Sequence, residues 1–360
     1  MTVATYRILT GDALEQLRTL PDASVQTCIT SPPYFGLRDY GTARWDGGDP
    51  SCDHGVRRWE GPKQTQGAQS GHPAQGDRLD RSVCHCGATR VDQQIGMEST
   101  PDEYVDRLVE VFQEVRRVLR DDGTVWLNLG DSFSDKQLQG IPWRVAFALQ
   151  AGEWYLRSDI VWAKDNPMPE SVTDRPTRAH EYIFLLSKRA RYWYDAAAIR
   201  EPAKEPHHTR HAPYVLQPPG QTAHTGLHRD KQRGHSRRHA GLNARWDVMT
   251  KAEQGATGRN RRDVWTVATH PYAGAHFAVM PEALVEPMVL AGCPPGGTVL
   301  DPFAGSGTTL AVANRLGRHA LGIELNPAYV DLVHQRVQQA AWVLGEEAPE
   351  GTTGGMTDVP

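Results

Sequence analysis

No stretch of this 360-residue chain approaches the roughly 18 consecutive apolar residues that a membrane-spanning helix needs. The opening residues, MTVATYRILTGDALEQL, hold no basic stretch followed by an apolar one, so a secretory leader is not expected. The expectation is a cytoplasmic protein without a membrane partner. Cysteine is scarce. There are five, an odd number, which argues against a disulfide framework. Positive charge is in deficit overall, with 39 Lys and Arg against 43 Asp and Glu, so the chain as a whole does not read as a polycation.

What is present alternates. Residues 6–40 read as strand, helix, strand and a turn at Ser31-Pro32-Pro33-Tyr34. In TPDEYVDRLVEVFQEVRRVLRDDG, Thr100 is expected to cap a helix, with Pro101 in its first position and Glu103 three residues after the cap. Val105, Leu108, Val111, Phe112, Val115, Val118 and Leu119 fall on one face, and Gly123 is expected to close the helix. TVWLNLGD, SDIVWAKDNP and EYIFLLSK read as strands, and IPWRVAFALQAG as a helix. After residue 264 the alternation resumes and runs to residue 340. Such a pattern predicts an α/β fold, a mostly parallel sheet with helices on both faces. Its pieces are 1–43, 97–199 and 264–340. Two polar insertions, 44–96 and 200–263, interrupt it, and 341–360 reads as a flexible tail.

VLDPFAGSGTTLA follows a strand and opens a helix. Gly305 and Gly307 allow a ligand to approach the backbone closely. Glu324, about 20 residues on, ends the next strand, where a carboxylate can hold a pair of ribose hydroxyls. Leu310 occupies the third glycine position of a dinucleotide fingerprint, which weakens a nicotinamide reading. No lysine follows the second glycine, which excludes a P-loop. A nucleoside cofactor without a pyrophosphate remains. S-adenosylmethionine fits, with Asp301 able to pair with its ammonium group. Taken alone, the segment is as readily an ordinary strand–turn–helix.

The turn TSPPY also ends a strand, and ligands of open α/β sheets bind outside the carboxyl ends of strands. An exocyclic base amine is a poor nucleophile because its lone pair is delocalised into the ring. Acceptors aimed at its N–H bonds favour the reactive form, and Ser31 Oγ with the Pro32 carbonyl can supply them. Pro32 and Pro33 fix the turn and remove competing donors. Tyr34 offers a face on which an extruded base can stack. Taken alone, an incidental Pro-Pro turn is the simpler reading.

Together the two motifs resemble the amino-methylating DNA methyltransferases, in their beta arrangement of motifs. TSPPY resembles the catalytic (D/N/S)PP(Y/F) motif, which implies catalytic roles for Ser31, Pro32, Pro33 and Tyr34. DPFAGSGT resembles the S-adenosylmethionine loop, implying Asp301, Phe303, Gly305, Gly307 and Thr308. GDALEQL is similar to the segment whose acid contacts the cofactor adenine, here Asp12. IELNPAYV is similar to the ribose-binding segment, here Glu324. HFAVMPEALVE is similar to the helix entry packed on the methionine end, around Phe277 and Pro281. WLNLGDSF, with Asp131, resembles a further pocket strand. The resemblance implies a Rossmann-like, S-adenosylmethionine-dependent methyltransferase fold and double-stranded DNA as partner, in a setting that admits a cognate restriction endonuclease. It also implies base flipping and direct methyl transfer with no covalent enzyme intermediate. Family members with Ser at the first motif position usually methylate cytosine N4, and those with Asp adenine N6. N4-cytosine is therefore the expectation and N6-adenine the alternative. An RNA or protein-glutamine methyltransferase, or a catalytically inactive DNA-binding protein, are more distant readings. Carbon-5 chemistry needs a Pro-Cys nucleophile, and the chain has only the reversed Cys293-Pro294.

The insertions carry their own signals. Residues 200–262 hold 13 Lys and Arg against five acids, with seven histidines. Arg and Lys neutralise phosphates and Arg reads guanine edges, so this segment is expected to be the target recognition region. In 44–96, Cys52-x-His54 and Cys84-x-Cys86 pair up as four ligands for a closed structural zinc site, with His85 or His72 as substitutes for His54. Free thiols in a loop are the competing reading. Cys28 and Cys293 sit in apolar surroundings and are expected to be inert.

Overall fold

The computed structural model describes residues 4–54, 84–202, 258–269, 279–342 and 351–353. The chain divides into two units, Met1–Asp195 with Asp263–Pro360, and Ala196–Arg262.

In the first unit β1 (Tyr6–Thr10) leads into α1 (Ala13–Arg18), whose N-cap is Asp12, its carboxylate accepting from the Glu15 N–H at 3.0 Å. β2 (Val25–Thr30) is buried along its whole length. Two short strands, β3 (Arg44–Asp46) and β4 (Thr89–Val91), pair as a separate antiparallel hairpin. α2 (Pro101–Val118) begins with the expected capping box between Thr100 and Glu103 and buries the expected face. It ends earlier than expected. Leu119 turns to extended backbone and opens β5 (Leu119–Leu129), which runs straight through Gly123. At Gly123 a Cβ would lie 2.7 Å from the Gln26 carbonyl oxygen, beside a register shift between Val25 and Thr27. The glycine accommodates a bulge in a strand instead of closing a helix.

A two-residue ribbon, β6 (Phe133–Ser134) and β7 (Gln137–Leu138), precedes α3 (Ile141–Ala151). β8 (Tyr155–Ala163), β9 (His180–Ser187), β10 (Val264–Thr266), α4 (Glu282–Gly292), β11 (Thr298–Asp301), α5 (Thr308–Arg315), β12 (His319–Glu324) and α6 (Pro327–Trp342) follow. Within the segment read as a tail, β13 (Gly351–Thr353) adds in parallel to β1. The sheet order is β10-β8-β9-β5-β2-β11-β12-β1-β13. Every pairing is parallel except those of β9, which runs antiparallel to β5 and β8. Helices α1, α2 and α3 pack side by side, as do α4, α5 and α6, giving the two helical groups expected to cover a mostly parallel sheet. The first layer closes a core around Tyr104, Leu108, Phe112, Leu127 and Phe184, all fully buried. No helix among the described residues is long and apolar enough to cross a membrane.

In the second unit, Glu201 and Arg259 form an antiparallel bridge, and the Glu201 carboxylate also takes the Arg259 and Arg262 guanidinium groups at 2.9 and 3.3 Å. Most of the basic segment, 203–257, lies outside the described residues.

Candidate active site

Strands β2 and β11 are parallel neighbours, with Leu300 opposite Cys28. Their carboxyl ends therefore open on the same edge, and the Ser31–Tyr34 turn meets the Asp301–Gly307 loop there although 270 residues separate Ser31 from Asp301 in sequence. Thr30 Oγ1 ties them, donating to Asp301 Oδ1 at 2.6 Å. On the far side of β11, β12 ends in Glu324.

Between these ends lies a cavity of about 1060 Å³, open mouth included. Of the expected residues it is lined by Asp12, Ser31, Pro33, Asp301, Phe303, Gly305, Thr308 and Glu324. Pro32, Tyr34, Gly307 and Pro281 stand outside its lining. Pro281 caps α4, and its predecessors Val279 and Met280 face the cavity instead. Phe277 lies outside the described residues. The two glycines differ. Gly305, at φ 52°, has nothing closer than 4.0 Å where a Cβ would stand, so a ligand can approach the backbone there. Gly307, at φ 80°, has Val333 2.9 Å from that position. Its missing side chain lets α6 pack on the start of α5.

The lining fits a cationic nucleoside. Glu324 and Asp301 are only 8% and 3% exposed. Burial pushes the Glu324 carboxyl up to about 7, although the N–H groups of Asn326 and Gly305 bond it at 2.8 Å each and pull the other way. Burial likewise pushes Asp301 up to about 6 against the bonds from Thr30 and the Phe303 N–H. Two buried carboxylates on one wall favour a ligand that brings positive charge and hydroxyl donors. Tyr40, Phe303 and Tyr329 supply aromatic faces. Thr308 Oγ1 is buried and has no hydrogen-bond partner among the described residues.

Beside the cavity, a polar network holds Ser31. Its hydroxyl donates to Tyr34 Oη at 3.2 Å, and Tyr34 donates in turn to Glu181 Oε2 at 2.7 Å. Asn128 Nδ2 bridges all three, at 3.3 Å from Ser31 Oγ, 2.8 Å from Tyr34 Oη and 2.9 Å from Glu181 Oε2. Lys164 pairs with the other Glu181 oxygen. Burial, then the Glu181 charge, raise the Tyr34 phenol well above its ordinary range, so it stays protonated and donates. The Ser31 proton is thus directed to Tyr34, outside the cavity lining, and with Asn128 on one lone pair the other is left to accept. Tyr34 acts here through its hydroxyl, with the ring packed over Gly130, where a Cβ would stand 2.5 Å from a ring carbon. Pro32 is buried, and the Pro33 carbonyl is taken by the Tyr104 hydroxyl at 2.9 Å. Asp131 serves the scaffold. Its Oδ1 accepts from the Ile141 N–H at 3.0 Å, replacing the side-chain cap that Gly140 cannot give α3.

The four residues Cys52, His54, Cys84 and Cys86 bring one donor atom each within 4.8 Å of one another. Cys52 Sγ and Cys84 Sγ stand 3.7 Å apart, far beyond a disulfide bond, and Cys86 Sγ lies 3.3 Å from His54 Nδ1. The edge of a tetrahedron around an ion with sulfur ligands at 2.3 Å is about 3.8 Å, so the spacing suits zinc. His85 also reaches Cys52 Sγ, at 3.7 Å, while His72 lies outside the described residues. Cys28 and Cys293 are fully buried. Burial pushes the Cys293 thiol up to about 12 and the Cys28 thiol well above its ordinary range, which leaves both unreactive.

A family model described as DNA methylase, covering the N6- and N4-directed enzymes, matches residues 25–335. The chain belongs to the family of DNA amino-methyltransferases. It is 37% identical to the Type II methyltransferase M.Cfr9I of Citrobacter freundii, with 91% of this chain and 86% of that protein aligned. It is also 37% identical to the Type II methyltransferase M.SmaI of Serratia marcescens, over 92% and 90%. Among solved structures, PvuII DNA methyltransferase (cytosine-N4-specific) shares the fold at a TM-score of 0.56 and 16% identity, covering 93% of this chain and 87% of that one. A putative DNA modification methylase of Thermus thermophilus, complexed with S-adenosyl-L-methionine, shares it at 0.52 and 22%, covering 96% and 99%. The Rossmann-like fold is that of the S-adenosylmethionine-dependent methyltransferases.

Sequence reasoning about this DNA methyltransferase missed Asn128, Lys164 and Glu181. Asn128 and Lys164 left a signal, a polar residue inside VWLNLGD and a polar turn after SDIVWA. Glu181 is harder to find. It is the second residue of its strand, and only because β9 is antiparallel does a strand beginning face the crevice.

Proposed function

We propose that this chain is a site-specific Type II DNA methyltransferase that methylates the N4 amine of cytosine in duplex DNA. The observation that carries the reading is Ser31. Its hydroxyl proton is committed to Tyr34 and one lone pair to the Asn128 amide, which leaves the other lone pair to accept beside the cavity. S-adenosylmethionine, when bound, supplies an electrophilic methyl group. In this reading Asp12 contacts the adenine, Glu324 holds the ribose hydroxyls, Asp301 pairs with the ammonium group, and Phe303, Gly305 and Thr308 shape the loop around them. Gly307 and Pro281 support from behind, and Phe277 is assigned by resemblance alone.

Ser31 Oγ and the Pro32 carbonyl would accept from the two N–H bonds of the flipped cytosine amine, turning its lone pair toward the methyl carbon. Transfer of that methyl group to the amine would leave the C–S electron pair on the donor's sulfur, and the methylated amine would give up one proton to water. A neutral serine acceptor suits the cytosine amine, and PvuII DNA methyltransferase, which shares the fold, is cytosine-N4-specific. The basic segment 200–263 would track the DNA and read its bases, and a restriction endonuclease of the same specificity would be the genetic partner. We further propose that Cys52, His54, Cys84 and Cys86 hold one structural zinc ion.

The test is nucleoside mass spectrometry of genomic DNA incubated with the protein and methyl-labelled S-adenosylmethionine. Labelled N4-methylcytosine is expected, and labelled N6-methyladenine alone would overturn the base assignment. Ser31→Ala should abolish the label while leaving S-adenosylhomocysteine binding intact. Surviving activity would remove Ser31 from the chemistry.

A further inference from the structure

The hairpin β3–β4 is poorly equipped to hold itself. It pairs only three residues on each side, Arg44–Asp46 with Thr89–Val91, and isolated two-stranded ribbons of this kind are marginal in water. Its two arms are also far apart in sequence, so bringing them together carries a loop-closure cost. The four donor atoms sit at the end of this hairpin, two from each arm. The arms are shaped to that end. His54 packs its ring on Trp45 at 5.4 Å, and a Cβ on Gly48 would stand 2.8 Å from Cys86 Sγ.

The opposite end of the same hairpin is the wall of the donor cavity. Tyr40 and Thr42 enter it from the first arm, and Gln93, Gln94 and Ile95 from the second. The arms are stitched to each other there. Gln94 Oε1 accepts from the Tyr40 N–H and Gln94 Nε2 donates to the Arg38 carbonyl, both at 2.7 Å, while Arg90 bridges Asp39 and Asp92. The second arm then abuts the catalytic turn. The Gly36 N–H bonds the Gly96 carbonyl at 2.8 Å, and Gly96, at φ 100°, lies so close that a Cβ would be 2.9 Å from the Tyr34 carbonyl oxygen.

From this continuity we propose that the metal clip is a coupling site. Zinc at one end of the hairpin holds the cavity wall at the other end in place, so metal occupancy sets the affinity for the methyl donor. The proposal rests on the zinc and methyl-donor readings above. The metal lies outside the chemistry and acts only through the two arms, by spending its binding energy on ordering them. Binding of the two ligands is then reciprocal, and cofactor should slow metal loss.

The experiment is a titration of S-adenosylhomocysteine into the full-length protein by calorimetry, with zinc present, after removal by a chelator, and after restoring one equivalent of Zn²⁺. Metal content is measured in parallel. One zinc per chain is expected, with affinity weakened by roughly ten-fold on removal and recovered on restoration, the usual size of a coupling between sites. Unchanged affinity in a chain that binds and loses zinc would overturn the coupling while leaving both parent readings standing. A chain that binds S-adenosylhomocysteine but no metal would overturn the zinc reading and the coupling with it. A chain that binds zinc but no S-adenosylhomocysteine would overturn the methyl-donor reading. Should the stripped chain unfold, Arg90→Gln replaces chelation. It spares the four ligands and every lining residue but cuts the brace between the arms. A fully metallated variant is expected to show the same loss of affinity, and an unchanged value would sink the proposal.

Discussion

At the scale of single residues, the turn that begins at Ser31 depends on groups from two other strands and from the residue that follows a third. Glu181 anchors the network as a charge, since it accepts from Tyr34 and Asn128 and pairs with Lys164. Glu181→Gln would turn an acceptor into a donor beside Tyr34 and release the Ser31 hydroxyl to reorient. The expected result is a fall in kcat of roughly 10²-fold, the usual cost of a misaligned reacting group, with the dissociation constant for S-adenosylhomocysteine unchanged. Single-turnover kinetics and calorimetry check the two halves. The buried carboxylates give a second prediction. Asp301 and Glu324 are raised to about 6 and about 7, whereas in the unfolded chain they titrate near 4. The folded protein therefore keeps protons that the unfolded chain releases, and the stability of the cofactor-free protein should fall as pH rises from about 4 to about 7. Affinity for a cationic cofactor should move the opposite way, tightening through pH 6–7 as both acids ionise. Calorimetry in buffers of different ionisation enthalpy should register proton release, and Glu324→Gln should flatten the profile.

At the scale of elements, most boundaries were legible because local chemistry set them. Thr100, Pro101 and Glu103 specify a helix start without help from the rest of the chain, and the capping box forms as they imply. Thr100→Ala should therefore cost about 1 kcal/mol, seen as a drop of a few degrees in Tm, with activity retained. The failures came where tertiary pairing outweighs local preference. Gly123 reads as a helix stop, but β2 offers Leu119 a strand partner four residues earlier. Glycine function was misjudged for the same reason. Gly305 and Gly307 look equivalent in sequence, and only the approach of Val333 from α6 separates a ligand-facing glycine from a packing glycine. Gly292 was silent in sequence, yet α4 crosses the sheet so closely there that a Cβ would stand 2.6 Å from Trp126 Nε1. Gly292→Val should overpack this position and cost about 1–3 kcal/mol, measurable by denaturant titration at unchanged m-value.

At the scale of the whole molecule, charge is partitioned. The chain is acidic overall, but residues 200–262 carry 13 Lys and Arg against five acids. Outside that segment the chain holds 26 Lys and Arg against 38 Asp and Glu, so in the proposed reading DNA is attracted to the basic segment and repelled by the remainder. Binding of duplex DNA should weaken steeply with salt, and Arg237→Ala with Arg238→Ala should reduce the slope of log K against log salt by about 0.9 for each phosphate left without its arginine. Fluorescence anisotropy across a salt series would measure it, and an unchanged slope would place the phosphate-binding residues elsewhere.

The sheet order also has a consequence in time. β2 leads into Ser31, but its neighbour β11 is not made until residue 298, and β1 finds its partner β12 only at residue 319. A chain growing on the ribosome therefore holds its earliest strand unpaired and its Ser31–Tyr34 turn without the neighbouring cavity until most of the sequence has emerged. Long-range pairings of this kind fold late. An incomplete product should then neither bind the methyl donor nor mark DNA, and the modification activity should switch on only when the last fifth of the chain arrives.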